Sequence, residues 1–312
     1  MSSCSRGLGA ALMVAKIRRL VGREIVRSTF AWRWVRNPRR TLRQGVESRG
    51  AGGHQLDRDV DLLRSEGIIV RHADQVFDAS GLRHLEAVVA SAEARMREVE
   101  VQAVLANPGS LGTRKDYRIH LAAKAFAVAS PLIQLAIHPA LLARVNGYLG
   151  MWSYLREVQI WLDMPTPGEA KETQLWHRDD DDHANVKAFI YLNAVNDEGG
   201  PFCFVSGTHV FGKLKHAVAP TAPGRMDDAQ MAGHVPAAGW TRCTGSSGTL
   251  ILADTTGFHK GLKPQVQRRV MVSLHYTSGT PRYPRNFELE PTAGSPMPLT
   301  DVQKYALFAR GE

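Results

Sequence analysis

Apolar positions change their period once along this chain. Residues 57–70 read as a short helix running into a strand, with Gly67 at the junction. Over 78–98, Leu82, Leu85, Val89 and Ala92 recur at three- and four-residue steps, which puts them on one face of a helix. A further helix is predicted over 132–148, with Pro139 near a break and Gly150 as its stop. From Ser153 onward come short runs rich in Val, Ile, Phe, Tyr and Thr, separated by Pro, Gly, Asn and Asp. Strands are predicted over 155–164, 184–194, 202–206, 249–253 and 269–277. The helices lead and do not alternate with the strands. The expected fold is therefore mainly β with flanking helices, an antiparallel jelly roll of the cupin-like kind, filling a single domain over 57–312.

Before that domain the pattern is different. Over 8–34, Ile17, Val21 and Ile25 repeat on one side of a helix, and Arg19, Arg23 and Arg27 repeat on another. Residues 1–44 are expected to be a basic amphipathic arm. Residues 45–56, with four glycines, are expected to be a linker. The arm changes the meaning of the net charge of +9. Eleven Lys or Arg stand against Glu24 alone up to Gly45, which leaves 28 basic and 29 acidic residues for the rest of the chain. A near-neutral body argues against a nucleic-acid groove. The arm suits peripheral contact with an anionic membrane through 8–34, packing against the body, or an organelle transit peptide. No apolar run reaches roughly 18 residues, so no transmembrane helix is expected. Cys4, Cys203 and Cys243 fit no metal or disulfide spacing and read as free thiols, which suits a cytoplasmic location.

Four constellations carry candidate chemistry. In Trp176-His177-Arg178-Asp179, residues two apart on a strand point to one face, so His177 and Asp179 present an imidazole and a carboxylate together. Asp181 and Asp182 read as a solvated acidic loop. An apolar strand from Gly248 leads through a turn to His259, completing two histidines and a carboxylate. That set covers one face of an octahedral iron(II) and leaves three positions open. Arg268-Arg269 opens the last strand, and an inward arginine there would fork onto a carboxylate. In the Ser206-Gly-Thr-His209 turn, His209 reads as organising the loop rather than as a ligand. Arg114, Lys115 and Arg118 read as solvated surface, although they would also suit an anionic substrate.

Five segments in order resemble the phytanoyl-CoA dioxygenase family of iron(II)- and 2-oxoglutarate-dependent oxygenases: QLWHRD (174–179), FIYLN (189–193), EGGPFCFVSGTH (198–209), GTLILADTTGFHKG (248–261) and RRVMVSLHY (268–276). The resemblance implies a double-stranded β-helix with iron(II) on His177, Asp179 and His259. It places Arg269 on the far carboxylate of 2-oxoglutarate, with Phe189 and Gln159 against that cosubstrate. The implied activity is hydroxylation of an unactivated C–H bond of a small molecule, using O2 and releasing succinate and CO2, with ascorbate as a candidate reductant. Halogenating relatives replace the iron carboxylate by a small residue, whereas Asp179 is present here. Alternatives left open are a catalytically inactive protein of the same fold, a cupin-like metal protein that needs no 2-oxoglutarate, and a zinc hydrolase.

Overall fold

Proline and glycine set the element boundaries in the helical half. The computed structural model describes residues 28–47, 53–106, 117–218, 224–290 and 298–308. A single π turn, Ala31–Val35, precedes helix α1 (Pro38–Glu47), and α2 follows over His54–Glu66. Gly67 ends α2 in the left-handed conformation (φ 81°) and opens strand β1 (Ile68–His72). It is needed on a second count, because a Cβ there would fall 2.4 Å from His209 Nδ1. Helix α3 (Ala79–Ala106) extends past the predicted end and buries Leu85, Val88, Ala92 and Met96. Short strands β2 (Arg118–His120) and β3 (Ala125–Phe126) come next. The helix predicted over 132–148 is two helices, α4 (Pro131–Ala136) and α5 (Pro139–Leu149), each with proline in its first turn. Proline lacks the N–H that a continuous helix would need there.

The strands are β4 (Tyr154–Asp163), β5 (Val186–Tyr191), β6 (Phe202–Val205), β7 (Trp240–Cys243, after the short helix α6, Asp228–Ala232), β8 (Thr249–Ala253), β9 (His259–Gly261), β10 (Arg269–Thr277) and β11 (Glu288–Leu289). Helix α7 (Asp301–Leu307) closes the described chain. Six strands form one antiparallel sheet in the order β1-β8-β5-β10-β4-β2, and β7-β6-β9 form a second antiparallel sheet. Alternation splits the large sheet's side chains cleanly. Val270, Val272, Leu274 and Tyr276 of β10 join Val158, Ile160 and Leu162 of β4 in the core shared with α3, α4 and α5. The opposite face packs Phe189, Ile251 and Met271 against Phe202 and Phe204 of the small sheet. The molecule is mainly antiparallel β with flanking helices.

Two expectations about charged side chains change. Asp181 and Asp182 are not a solvated loop. Asp181 is buried and pairs with Arg156 at 2.7 Å, and Asp182 accepts bonds from the Trp32 indole N–H (2.9 Å) and Ser278 N (2.8 Å). Arg118 is not solvated surface either, because both oxygens of the buried Asp163 hold it and it stacks 4.0 Å over Trp161. Of the arm, residues 28–47 pack onto the body, with Trp32 and Arg40 fully buried. The predicted helix over 8–27, Cys4, Arg114 and Lys115 lie outside the described residues. Cys203 and Cys243, on neighbouring strands, are free thiols. No described helix is long and apolar enough to cross a membrane.

Candidate metal centre

His177 and His259, distant in sequence, become neighbours through one backbone bridge. His177 N donates to His259 O (3.0 Å) and His259 N to His177 O (2.9 Å), so the two residues face each other across an antiparallel pair. Their rings sit 4.3 Å apart. Asp179 follows two residues on, its N–H bonded to Thr255 O at 2.8 Å. The parity read from the sequence thus brings its carboxylate to the same side, 4.0 Å from His177 Nε2 and 3.6 Å from His259 Nε2. All three donor atoms lie within 4.8 Å of one another.

The backbone also sets the tautomers. His177 Nδ1 lies 2.8 Å from Leu175 O and His259 Nδ1 lies 3.0 Å from Gly257 O. A carbonyl can only accept, so each ring donates from Nδ1 and keeps its Nε2 lone pair for the interior. Burial, reinforced by the neighbouring His259, brings His177 down to about 3, and burial lowers His259 as well. Both rings are therefore neutral near pH 7, which is the form that binds metal. Burial opposes ionisation of Asp179, but Lys187, His259 and His177 outweigh it and hold the carboxyl well below its usual range. Lys187 Nζ, itself enclosed on β5, stands 2.8 Å from Asp179 Oδ2.

The turn that delivers His259 is fixed from below by Asp254. Its Oδ1 accepts from Thr256 N at 2.9 Å, and its Oδ2 accepts from the Tyr148 hydroxyl. Burial pushes this carboxyl up to about 6. It thus keeps a proton in the folded chain that the unfolded chain releases above about pH 4. Stability drawn from that proton is full below about pH 4 and is lost as pH rises through about 6. Asp254→Asn is expected to leave the melting temperature unchanged near pH 4 and to stabilise by about 2 kcal/mol near pH 7. Thermal melts at the two pH values check this, and an equal effect at both would refute it.

A second polar cluster lies further along the inner face. Arg269 opens β10, is 1% exposed, and directs Nη2 to Asp163 Oδ2 at 2.5 Å. Arg118 holds the other oxygen of Asp163 at 2.6 Å. Two guanidinium groups thus share one carboxylate, leaving one positive charge among enclosed groups. Arg269 Nε and Nη1 have no hydrogen-bond partner among the described residues, nor do Trp161 Nε1 and Ser273 Oγ on the same face. Arg269 fills the space left by a missing side chain on β9, since a Cβ at Gly261 would fall 2.7 Å from its Nη2. Gly261 and His259 are two residues apart on one strand, hence on one face and about 7 Å apart. A five-carbon dicarboxylate spans that interval.

Of the other residues expected at the site, Phe189 is buried on the inner face, its ring 4.7 Å from Phe202 and 6.3 Å from Trp161. Gln159 faces Ser273 across β4–β10 and its Oε1 lies 2.9 Å from His120 Nδ1. Arg268 is exposed, so of the arginine pair only Arg269 turns inward. His209 stands apart from the three-residue group and sets its Nε2 3.1 Å from Arg64 O. Sequence reading missed Lys187, Asp163, Trp161, Ser273 and His275. Parity was the available signal: stepping by two from Arg269 reaches Ser273 and His275, and stepping back from Phe189 reaches Lys187. A cavity of about 570 Å³ opens beside the centre, bordered by His177, Asp179, Asp180, Asp181 and Arg225.

No protein-family model matches the chain, and no curated protein matches it. Several solved structures resemble it. EctD from S. alaskensis in its apo form is 21% identical at a TM-score of 0.48, covering 75% of this chain and 81% of its own. The epimerase SnoN in complex with Fe3+, alpha ketoglutarate and nogalamycin RO is 18% identical at 0.46, covering 79% and 96%. HygX from Streptomyces hygroscopicus, with nickel and 2-oxoglutarate bound, is 19% identical at 0.44, covering 73% and 88%. Likeness at this level assigns no activity to this chain.

Proposed function

We propose that this chain is an iron(II)- and 2-oxoglutarate-dependent oxygenase on a double-stranded β-helix, hydroxylating a C–H bond of a small molecule. The observation that carries the reading is the pairing of two half-sites. A neutral His177–His259 pair with anionic Asp179 stands at one position of β9, and a guanidinium cluster with one unbalanced positive charge stands two residues along. The donor set suits iron(II), and the orphaned Arg269 nitrogens suit a carboxylate. The five ordered segments support the narrower phytanoyl-CoA dioxygenase reading.

When bound, iron(II) with 2-oxoglutarate and O2 supplies an oxidative decarboxylation to succinate and CO2 coupled to oxidation of a substrate C–H bond. The protein's share is positioning and exclusion of water. His177, Asp179 and His259 would hold the metal, and the carbonyls of Leu175 and Gly257 keep the two rings turned toward it. Lys187 keeps Asp179 anionic and oriented. Arg269 takes the far carboxylate of 2-oxoglutarate, with Trp161 and Ser273 as further donors, while Phe189 and Phe202 keep water from its chain. With Asp179 present, hydroxylation is favoured over halogenation.

The alternative is a cupin-like metal protein with no use for 2-oxoglutarate. It is favoured by Asp163, which already engages Arg269. Adding iron(II) and then 2-oxoglutarate to the metal-free protein without oxygen distinguishes the two. The oxygenase reading expects a weak visible charge-transfer band on the second addition. Protein that holds one iron and develops no band is the cupin-like protein.

A further inference from the structure

The N-terminal segment buries several polar side chains and leaves large apolar ones exposed. Over residues 30–42, Asn37, Arg40 and Thr41 are buried beside Trp32, while Phe30 (68%), Trp34 (45%), Val35 (65%) and Leu42 (58%) are exposed. A strap facing only water shows the reverse arrangement. The segment has no freedom to roll over and hide these side chains, because its buried face is bonded to the body along its length. Trp32 Nε1 donates to Asp182, Arg36 Nη2 to Thr280 O and Arg40 Nη1 to the carbonyls of Trp152 and Ser153, and Asn37 accepts from Gly279 N. Gly279 leaves room for the Arg40 side chain, since a Cβ there would fall 2.4 Å from Arg40 Nε.

We propose that residues 28–47 form a docking patch for an anionic lipid surface. Phe30 and Trp34 stand four residues apart on one face, and aromatic side chains of this kind favour the boundary between lipid and water. Arg39 and Arg43 flank Leu42 on the exposed side of α1. The chain directly upstream, residues 1–27, carries six basic residues against Glu24, while the rest of the protein after Gly45 is near neutral. Positive charge is thus concentrated in the stretch of sequence that leads into the apolar patch, which matches an acidic lipid headgroup layer. The proposal is independent of the metal centre's chemistry.

Flotation of the full-length protein with vesicles tests it, using phosphatidylcholine alone and phosphatidylcholine mixed with phosphatidylglycerol. The protein is expected to float with the anionic vesicles and to dissociate as salt is raised. Combining Phe30→Ser, Trp34→Ser and Leu42→Ser is expected to weaken partitioning by about tenfold or more. Because all three side chains are exposed, the melting temperature should not change. Combining Arg18→Glu, Arg19→Glu and Arg23→Glu is expected to abolish the preference for anionic vesicles. Absence of flotation, or undiminished flotation of the serine variant, overturns the proposal. So does a dimer in sedimentation equilibrium that the serine variant converts to monomer, since the patch would then serve a second copy of the chain.

Discussion

Asp179→Ala is expected to abolish metal binding and to destabilise the metal-free protein, two losses that separate in a double variant. Metal binding fails because the only carboxylate of the three-residue group is gone, leaving two neutral imidazoles. Stability falls for a different reason. Lys187 is enclosed, and Asp179 is the partner in contact with its ammonium group at 2.8 Å. Removing one partner of a buried ion pair costs about 3–5 kcal/mol, because a desolvated charge is left behind. Glu157 and Asp181 also act on Lys187, so the cost should sit at the low end of that range. Adding Lys187→Met removes the stranded charge and is expected to restore most of the melting temperature without restoring metal binding. Lys187→Met alone should destabilise the metal-free protein and be rescued by the metal, whose charge replaces the ammonium. Thermal melts with and without metal, together with anaerobic iron(II) titration, check all three variants. Wild-type metal affinity in Asp179→Ala would remove this centre from consideration.

What was legible in the sequence follows the distance over which each interaction acts. Strands β8 and β10 begin and end as read from local composition, and the shared face of His177 and Asp179 follows from strand parity alone. The division of residues 132–148 was signalled by Pro139, a local constraint. The role of Lys187 was not legible, because it depends on which strands pair and in what register. Only once His275 lies opposite both Glu157 and Lys187 does a row of titratable side chains exist across the sheet. The Arg118–Asp163–Arg269 cluster is hidden for the same reason. Arg118 and Arg269 both oppose Asp163 on β4, from different strands. A shift of one residue in either pairing would have sent one of them to the other face. Asp181 and Asp182 were misread because Arg156 and Trp32, which bury them, come from segments that no local pattern connects to that loop.

Arg269→Gln is expected to weaken 2-oxoglutarate binding by about 100-fold or more while leaving metal affinity unchanged. Charge-assisted hydrogen bonds to an enclosed carboxylate contribute about 1.5–3 kcal/mol each, and each 1.4 kcal/mol is a factor of about ten. The fold should survive, because Arg118 still neutralises Asp163 through two bonds. The substitution also removes the orphaned nitrogens Nε and Nη1 that the ligand-free cluster buries. A companion variant separates contact from charge. Arg118 donates to both oxygens of Asp163, so Arg118→Gln leaves every Arg269 donor in place yet removes the spare positive charge. If the unbalanced charge attracts the dicarboxylate, Arg118→Gln should lose about tenfold in affinity. If only direct contact matters, it should lose almost nothing. Arg269→Lys should recover part of the loss, because a lysine restores the charge without the planar fork. The measurement is titration of 2-oxoglutarate into metal-loaded protein without oxygen. Normal affinity in Arg269→Gln would mean that Asp163 is the only carboxylate this arginine serves, and the chain would then be read as a cupin-like metal protein.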